Sequence, residues 1–190
     1  MLRHASSPGF WIAAVWIAWA VSWTLAGFWA DRTTARPPSR RELPYRLITL
    51  AGVILLMPIS YGDHQAWRTG VAAGSIGLAM VVAGVIFAWW ARIHLGRLWS
   101  GNVTRKAEHR VVDTGPYRLV RHPIYTGLLT SVIGTAVARG DGLGFAGAAL
   151  IIVGTYIKAR LEESFLRQQL GADAYDGYAA KTPMLVPGAR

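Results

Sequence analysis

Apolar residues in this chain concentrate in runs that carry no charge. Residues 10–30 give 21 consecutive positions without a charged side chain, and residues 69–91 give 23. At about 1.5 Å of rise per helical residue, either run crosses the roughly 30 Å hydrocarbon layer of a bilayer. Three further runs, 47–62, 123–138 and 142–157, hold 16 residues each. Alone, each would suit a buried core helix; beside the two long runs they read as tilted or rim-extended spans. The pattern predicts an all-α integral membrane protein of about five transmembrane helices. It adds an ordered cytoplasmic cap between the third and fourth spans and a C-terminal helix.

Charge sharpens the topology. Charged residues make up 16% of the 190 residues and hydrophobic ones 53%, against roughly 25% charge in soluble domains. The 20 Lys and Arg divide as 1 in the N-tail, 5 in 31–46, 1 in 63–68, 7 in 92–121, 1 in 139–141 and 5 from Lys158 onward. With five spans, alternate segments share a side, which puts 17 cations on one side and 3 on the other. Basic residues mark the cytoplasmic side, so the N-terminus is expected outside and the two large loops and the C-tail inside. The net charge of +10 is then explained by topology and anionic headgroups, without nucleic acid as a partner. Residues 10–30 outrun a signal-peptide core and are expected to stay as a span. The absence of cysteine removes disulfides, thiolate nucleophiles and Cys-based metal sites. Richness in Ala, Gly and Arg points to a bacterial source, hence to the inner (plasma) membrane.

Small residues suggest which helices pack closely. Gly70, Gly74, Gly77 and Gly84 mark the third span, Gly127, Ser131 and Gly134 the fourth, and Gly144, Gly147 and Gly154 the fifth. Such residues let helices approach in lipid, where packing drives association. The chain therefore divides into an N-terminal helix pair, 1–68, and a core of three helices with a polar loop and C-terminal segment, 69–190. Trp16, Trp19 and Trp23 recur at helical spacing along the first span and read as helix packing. Trp11 and Trp29 stand near its ends, as belt residues do. The segment 31–46, with Pro37-Pro38, reads as a basic turn.

Chemistry gathers at two places. Thr114-Gly115-Pro116-Tyr117 reads as a helix start, and Pro123 bends His122 out of helical geometry so that the fourth span begins there. Two helix N-termini beside Arg118 and Arg121 would favour anionic groups, although both arginines also suit snorkelling to headgroups. Tyr117 and Tyr125 offer rings and hydroxyls to a cationic or planar group. His109 and His122 lack an acidic or His partner at ligand spacing, so no metal is expected. Apolar Leu95, Leu98, Trp99, Val111 and Val112 argue for order in the loop between. On the fifth helix, Lys158 and Glu162 share one face and Arg160 and Glu163 another. In solvent such pairs are worth less than about 0.5 kcal/mol each; at a cationic rim the acidic pair can hold a cation or orient a ribose.

The stretch from His109-Arg110-Val111-Val112-Asp113-Thr114-Gly115-Pro116-Tyr117-Arg118 into Arg121-His122-Pro123-Ile124-Tyr125-Thr126-Gly127 resembles the cofactor motif of the isoprenylcysteine carboxyl methyltransferase family. So does Glu162-Glu163-Ser164-Phe165-Leu166, followed by Gly171, Tyr175 and Tyr178. The related phospholipid N-methyltransferases have a similar membrane architecture and a Glu-Glu element. The resemblance covers roughly residues 92–187. It implies an integral membrane enzyme that uses S-adenosylmethionine, held on the cytoplasmic side among the last spans and the C-terminal segment. Carried over by position, the cofactor contacts are Asn102, His109, Arg110, Val111, Val112, Tyr117, Arg118, His122, Pro123, Ile124, Tyr125 and Glu162. A basic residue before the acidic pair orients the acceptor in the family; here Lys158 and Arg160 both qualify. Asn102 stands where eukaryotic members carry Gln, and Leu128, Leu129 and Thr130 replace aromatic residues, which implies a different acceptor pocket.

Methyl transfer from a sulfonium is an in-line displacement, so alignment and exclusion of water do most of the work. A carboxylate acceptor needs no base; an ammonium acceptor must first lose a proton, with Glu163 or His122 as candidates. The lipophilic acceptor is thus open between the carboxylate of a prenyl-cysteine-like compound, a lipid amine and a small metabolite. Two other readings compete: an NADPH-dependent membrane sterol or lipid reductase, and a non-enzymatic lipid-binding protein. The first would leave the Glu-Glu element unused.

Overall fold

The apolar runs are helical in the structure, a computed structural model that describes residues 7–28, 33–35, 39–57, 70–96, 99, 105–106 and 112–189. Among these, the helices are α1 (Pro8–Gly27), α2 (Ser39–Leu56), α3 (Val71–Leu95), α4 (Pro123–Arg139), α5 (Gly142–Leu170) and α6 (Ala172–Lys181). Three of them, α1, α3 and α5 through Gln168, are long and apolar enough to cross a membrane. A short antiparallel ribbon joins β1 (Thr33–Ala35) to β2 (Arg105–Lys106), with Thr33 opposite Lys106. It ties the segment after α1 to the segment after α3, a tie that helical periodicity gave no reason to expect. The basic turn is also shorter than its composition suggested. Helix α2 starts at Ser39, ahead of its apolar run, and carries Pro44 inside it.

Helix ends follow local chemistry. Ser7 accepts the Phe10 N–H at 3.3 Å and Pro8 opens α1. His122 precedes Pro123 at the start of α4, as the restriction on residues before proline requires. Gly140 ends α4 in the left-handed region at φ 65°, and Asp141 accepts the Gly144 N–H at 2.7 Å to open α5. Burial works against the charged form of Asp141. The Gly144 N–H and the Arg139 guanidinium outweigh it and hold the carboxyl below its ordinary value.

Two tight antiparallel pairs build the bundle. In the first, Gly77 lies on Gly134 and Ala138, and Gly84 on Gly127 and Ser131, so α3 and α4 touch backbone to backbone. Ser131 Oγ donates to Val81 O across this seam at 3.0 Å. In the second, α2 runs against α5: Leu56 beside Gly147, Gly52 beside Ile151, and Thr49 beside Gly154. Gly147 and Gly154 of α5 therefore face α2, where the run of small residues had pointed to the third and fourth spans, while Gly144 lies against Arg139. Between the pairs, Val132 and Ala136 of α4 meet Ala148 and Ile151 of α5 and Leu56 of α2. Helix α1 lies along α3, with Ile12 against Val81 of α3 and Ala138 of α4, and its Trp16 donates to Thr135 Oγ1 at 3.0 Å. Trp16 and Trp19 meet edge to face and Trp19 and Trp23 at a tilt, with centroids 5.4 and 5.3 Å apart, and Trp23 meets Trp89 and Trp99 edge to face. The stripe is a packing element.

Two buried arginines lock helix ends. Arg92 donates to Ala26 O at 2.8 Å and Gly96 O at 2.7 Å, closing the C-termini of α1 and α3 at one end of the bundle. At the other end Arg139 donates to Leu55 O and Leu56 O at 2.6 and 2.7 Å and forks onto Asp141. Both satisfy carbonyls that a helix C-terminus leaves without intrahelical partners.

Candidate active site

The site forms where the start of α4 meets the last third of α5. Gly115–Arg118 forms a single 3-10 turn instead of a longer helix, and Thr114 does not cap it with its side chain. Thr114 Oγ1 pairs with His94 Nε2 at 2.9 Å instead. Gly115 sits at φ +56°, and a side chain there would strike the His94 ring. The turn buries Pro116 and Tyr117. Past it, Arg121 N–H and His122 N–H donate to Pro183 O and Met184 O at 2.8 and 3.1 Å. Thr126 Oγ1 donates to Leu185 O at 2.6 Å. The segment after α6 is thereby bound along the start of α4.

Side chains complete the junction. Tyr125 OH donates to Glu162 Oε2 at 2.7 Å, and the Tyr125 and His122 rings stack, 7° from parallel at 5.3 Å. His122 Nε2 lies 3.2 Å from Glu163 Oε1 and its Nδ1 3.8 Å from Glu162 Oε2. Arg121 Nε donates to Glu163 Oε1 at 2.6 Å, while its Nη1 reaches Ala179 O and Thr182 O at 3.0 and 2.5 Å. The two adjacent glutamates thus face different tasks. Glu163 is buried and bound to Arg121 and His122; Glu162 meets Tyr125, and its side chain keeps 23% exposure. Lys158 Nζ stands 5.2 Å from the Tyr125 ring centroid and 6.0 Å from that of Tyr45.

Burial raises the phenol pKa of Tyr117, with Glu162 adding to it, and that of Tyr175, with Glu163 adding to it. Tyr178 is raised by burial against the pull of Arg121. All three remain neutral donors, and Tyr178 OH donates to Tyr117 O at 2.7 Å, fastening α6 to the 3-10 turn.

The sequence-derived candidates separate accordingly. His122, Tyr125, Glu162, Glu163 and Lys158 come together, with Pro123 and Ile124 buried beneath them. Ile124, Tyr117 and Val112 share one apolar cluster with Trp99 and Leu128. Arg118 and Arg160 are exposed. Asn102, His109, Arg110 and Val111 lie outside the described residues. Arg121, expected to draw an anion, is instead engaged by Glu163 and by carbonyls near the end of α6. Sequence reasoning overlooked His94, whose only signal is its place in the last turn of α3. It also overlooked Tyr45 and Glu42, which fell in a segment read as a turn.

Residues 73–173 match the model of the family described as phospholipid methyltransferase. The chain is 33% identical over 138 residues to protein-S-isoprenylcysteine O-methyltransferase A of Arabidopsis thaliana, covering 70% of this chain and 66% of that protein. The B protein of the same plant is 32% identical over 117 residues, 60% of this chain and 58% of the relative. A probable protein-S-isoprenylcysteine O-methyltransferase of Oryza sativa subsp. japonica is 32% identical over 115 residues, 59% of this chain and 60% of the relative. The chain thus spans about three fifths of the length of these relatives. The matched stretch contains both halves of the junction, the start of α4 and the acidic pair of α5, and on that match the chain belongs to the phospholipid methyltransferase family, as an isoprenylcysteine methyltransferase-like member.

Proposed function

We propose that the protein is an integral membrane methyltransferase that uses S-adenosylmethionine at the cytoplasmic face. In this reading α2 and α4 also cross the bilayer, which gives five spans with the N-terminus outside. The supporting observation is the direct contact of Tyr125 and His122 with Glu162 and Glu163, inside the stretch that matches the family.

The donor set suits the cofactor. Glu162 is a partly exposed carboxylate fixed by one hydrogen bond, able to accept from hydroxyls or to face a positive centre. His122 and Tyr125 offer parallel rings to a planar base. In the reading these residues hold it, together with Asn102, His109, Arg110, Val111, Val112, Tyr117, Arg118, Pro123 and Ile124. When bound, S-adenosylmethionine supplies an electrophilic methyl group whose sulfonium charge disappears on transfer. The protein's part is to orient the acceptor and exclude water. Lys158 serves as the acceptor-side cation, because it shares the Tyr125 and Glu162 side of α5 whereas Arg160 is exposed. Glu163, bound by Arg121 and His122, acts as a brace; as a base it would first have to give up both partners. That favours an acceptor that needs no deprotonation, such as the carboxylate of a lipophilic thioether acid, over a lipid amine.

The test uses purified protein in detergent with methyl-labelled S-adenosylmethionine. An S-farnesylated N-acetylcysteine and phosphatidylethanolamine vesicles serve as alternative acceptors, and calorimetry follows S-adenosylhomocysteine binding. His122→Ala and Glu162→Ala should each weaken that binding while the protein stays folded. Saturable NADPH binding with no response to S-adenosylhomocysteine would discard the proposal.

A further inference from the structure

We infer that Tyr45 of α2 is a positioning residue for Lys158, so that α2, outside the matched stretch 73–173, supplies one wall of the acceptor side. The acceptor role of Lys158 rests on the function proposed above; its placement rests on geometry alone.

The geometry begins with the α2–α5 seam. Its contacts advance one turn at a time, from Leu56 beside Gly147, to Gly52 beside Ile151, to Thr49 beside Gly154. Tyr45 lies one turn before Thr49, and Lys158 one turn after Gly154. Close backbone contact at Gly154, where a Cβ would meet Thr49 Oγ1 and lie 3.1 Å from Tyr45 O, therefore fixes Tyr45 next to Lys158. Tyr45 is buried at 5% exposure, with its ring centroid 6.0 Å from the ammonium. The Tyr125 ring of α4 lies 5.2 Å from the same ammonium. Two rings from two helices thus attend one cation that a third helix carries, at distances where ring faces attract cations.

Charge completes the arrangement. Glu162 stands one turn beyond Lys158 on the same face of α5, and Glu42 stands one turn before Tyr45 on α2. Glu42 is buried and paired with Arg46. A lysine chain has four flexible bonds and a large rotamer entropy. Rings and carboxylates on several sides restrict where its ammonium can stand. An ammonium held in this way meets an incoming acceptor in one place, and the ring that holds it comes from α2.

The experiment compares Tyr45→Leu, which removes the ring, with Tyr45→Phe, which retains it. In purified protein in detergent, Lys158 is labelled with an amine-reactive reagent and its reaction rate read by mass spectrometry. In parallel, KM and kcat are measured with the S-farnesylated N-acetylcysteine, and affinity with S-adenosylhomocysteine. Tyr45→Leu should raise the Lys158 labelling rate severalfold and the acceptor KM about tenfold, with kcat and S-adenosylhomocysteine affinity nearly unmoved. Tyr45→Phe should rescue both changes. Unchanged Lys158 labelling in a folded Tyr45→Leu protein overturns the positioning role. A labelling change beside an unchanged acceptor KM overturns the acceptor role alone. If wild-type protein binds S-adenosylhomocysteine but transfers no methyl to the probe, the proposed acceptor class fails while the labelling still decides the position of Lys158.

Discussion

Replacing the two neighbouring glutamates one at a time should separate structure from ligand binding. Glu163 Oε1 accepts from Arg121 Nε at 2.6 Å and lies 3.2 Å from His122 Nε2. The side chains of Arg121 and Glu163 keep only 12% and 11% exposure, so solvent screens the pair little. Removing one partner of such a pair costs about 3–5 kcal/mol, because the remaining charge stays buried. Glu163→Gln retains an acceptor, and Arg121 keeps the carbonyls of Ala179 and Thr182, so the loss falls to about 1.5–3 kcal/mol, the worth of a charged hydrogen bond. At roughly 2–4 °C per kcal/mol for a chain of this size, the apparent Tm in detergent should drop by about 3–12 °C. Limited proteolysis should then cut first near α6, which Arg121 ties to the start of α4. Glu162→Gln removes charge from a partly exposed carboxylate while keeping the Tyr125 contact, so its Tm should stay near wild type while S-adenosylhomocysteine affinity falls. The reverse pattern, a stable Glu163→Gln and an unstable Glu162→Gln, would refute this division of labour.

Other outcomes follow from single positions. Gly84→Val should prevent α3 and α4 from closing, since a Cβ there meets the Gly127 carbonyl and Ser131; size-exclusion profiles after detergent extraction should show aggregation. Arg139→Lys cannot reproduce a fork onto Asp141 together with bonds to two carbonyls and should lower the apparent Tm, whereas the exposed Arg160→Lys should not. The Asp141 carboxyl is held below its ordinary value, so it adds stability above its unfolded pKa and loses it as pH falls through the folded one. Thermal scans below about pH 4 should accordingly decline less steeply in Asp141→Asn than in wild type.

The helices were legible because uncharged length is a one-dimensional signal, and α1 and α3 follow their runs closely. Pro123 announced the start of α4 by the same local logic. Pairing between helices was not legible. Glycines on α5 show that something approaches closely, but not which helix does, and α2 advertises its side of the seam with only Gly52 and Thr49. At the site, residue types pointed to His122, Tyr125 and the acidic pair. Helical spacing already set Glu162 and Glu163 on different faces of α5, but it paired Glu163 with Arg160, whereas the fold brings Arg121 and His122 to it. Arg121 illustrates the remaining gap. A cation next to a helix start looks like an anion site until the tertiary fold brings a carboxylate and two carbonyls to it.

The two tight pairs decide what the site depends on. Backbone contact holds α3 to α4 and α2 to α5, and side-chain layers thicker than glycine join one pair to the other. Every side chain of the junction sits on one side or the other of that second seam: His122 and Tyr125 with α4, Lys158, Glu162 and Glu163 with α5, Tyr45 with α2. At the far end Arg139 bonds α2 carbonyls and the α4–α5 turn, so the pairs cannot separate there without exposing a buried guanidinium. Near the site the ties are hydrogen bonds and ring contacts. A change of one methylene in the intervening layer, at Val132, Ala136 or Ala148, therefore tilts one rigid pair against the other, and the displacement grows with distance from Arg139. The largest shift falls on the Tyr125–Glu162 contact, although neither residue has been altered. Substitutions in that layer should alter ligand affinity more than those of equal volume on the exposed side of α5, such as Ile152 or Val153, and a calorimetric comparison of the two groups measures how stiffly the pairs behave.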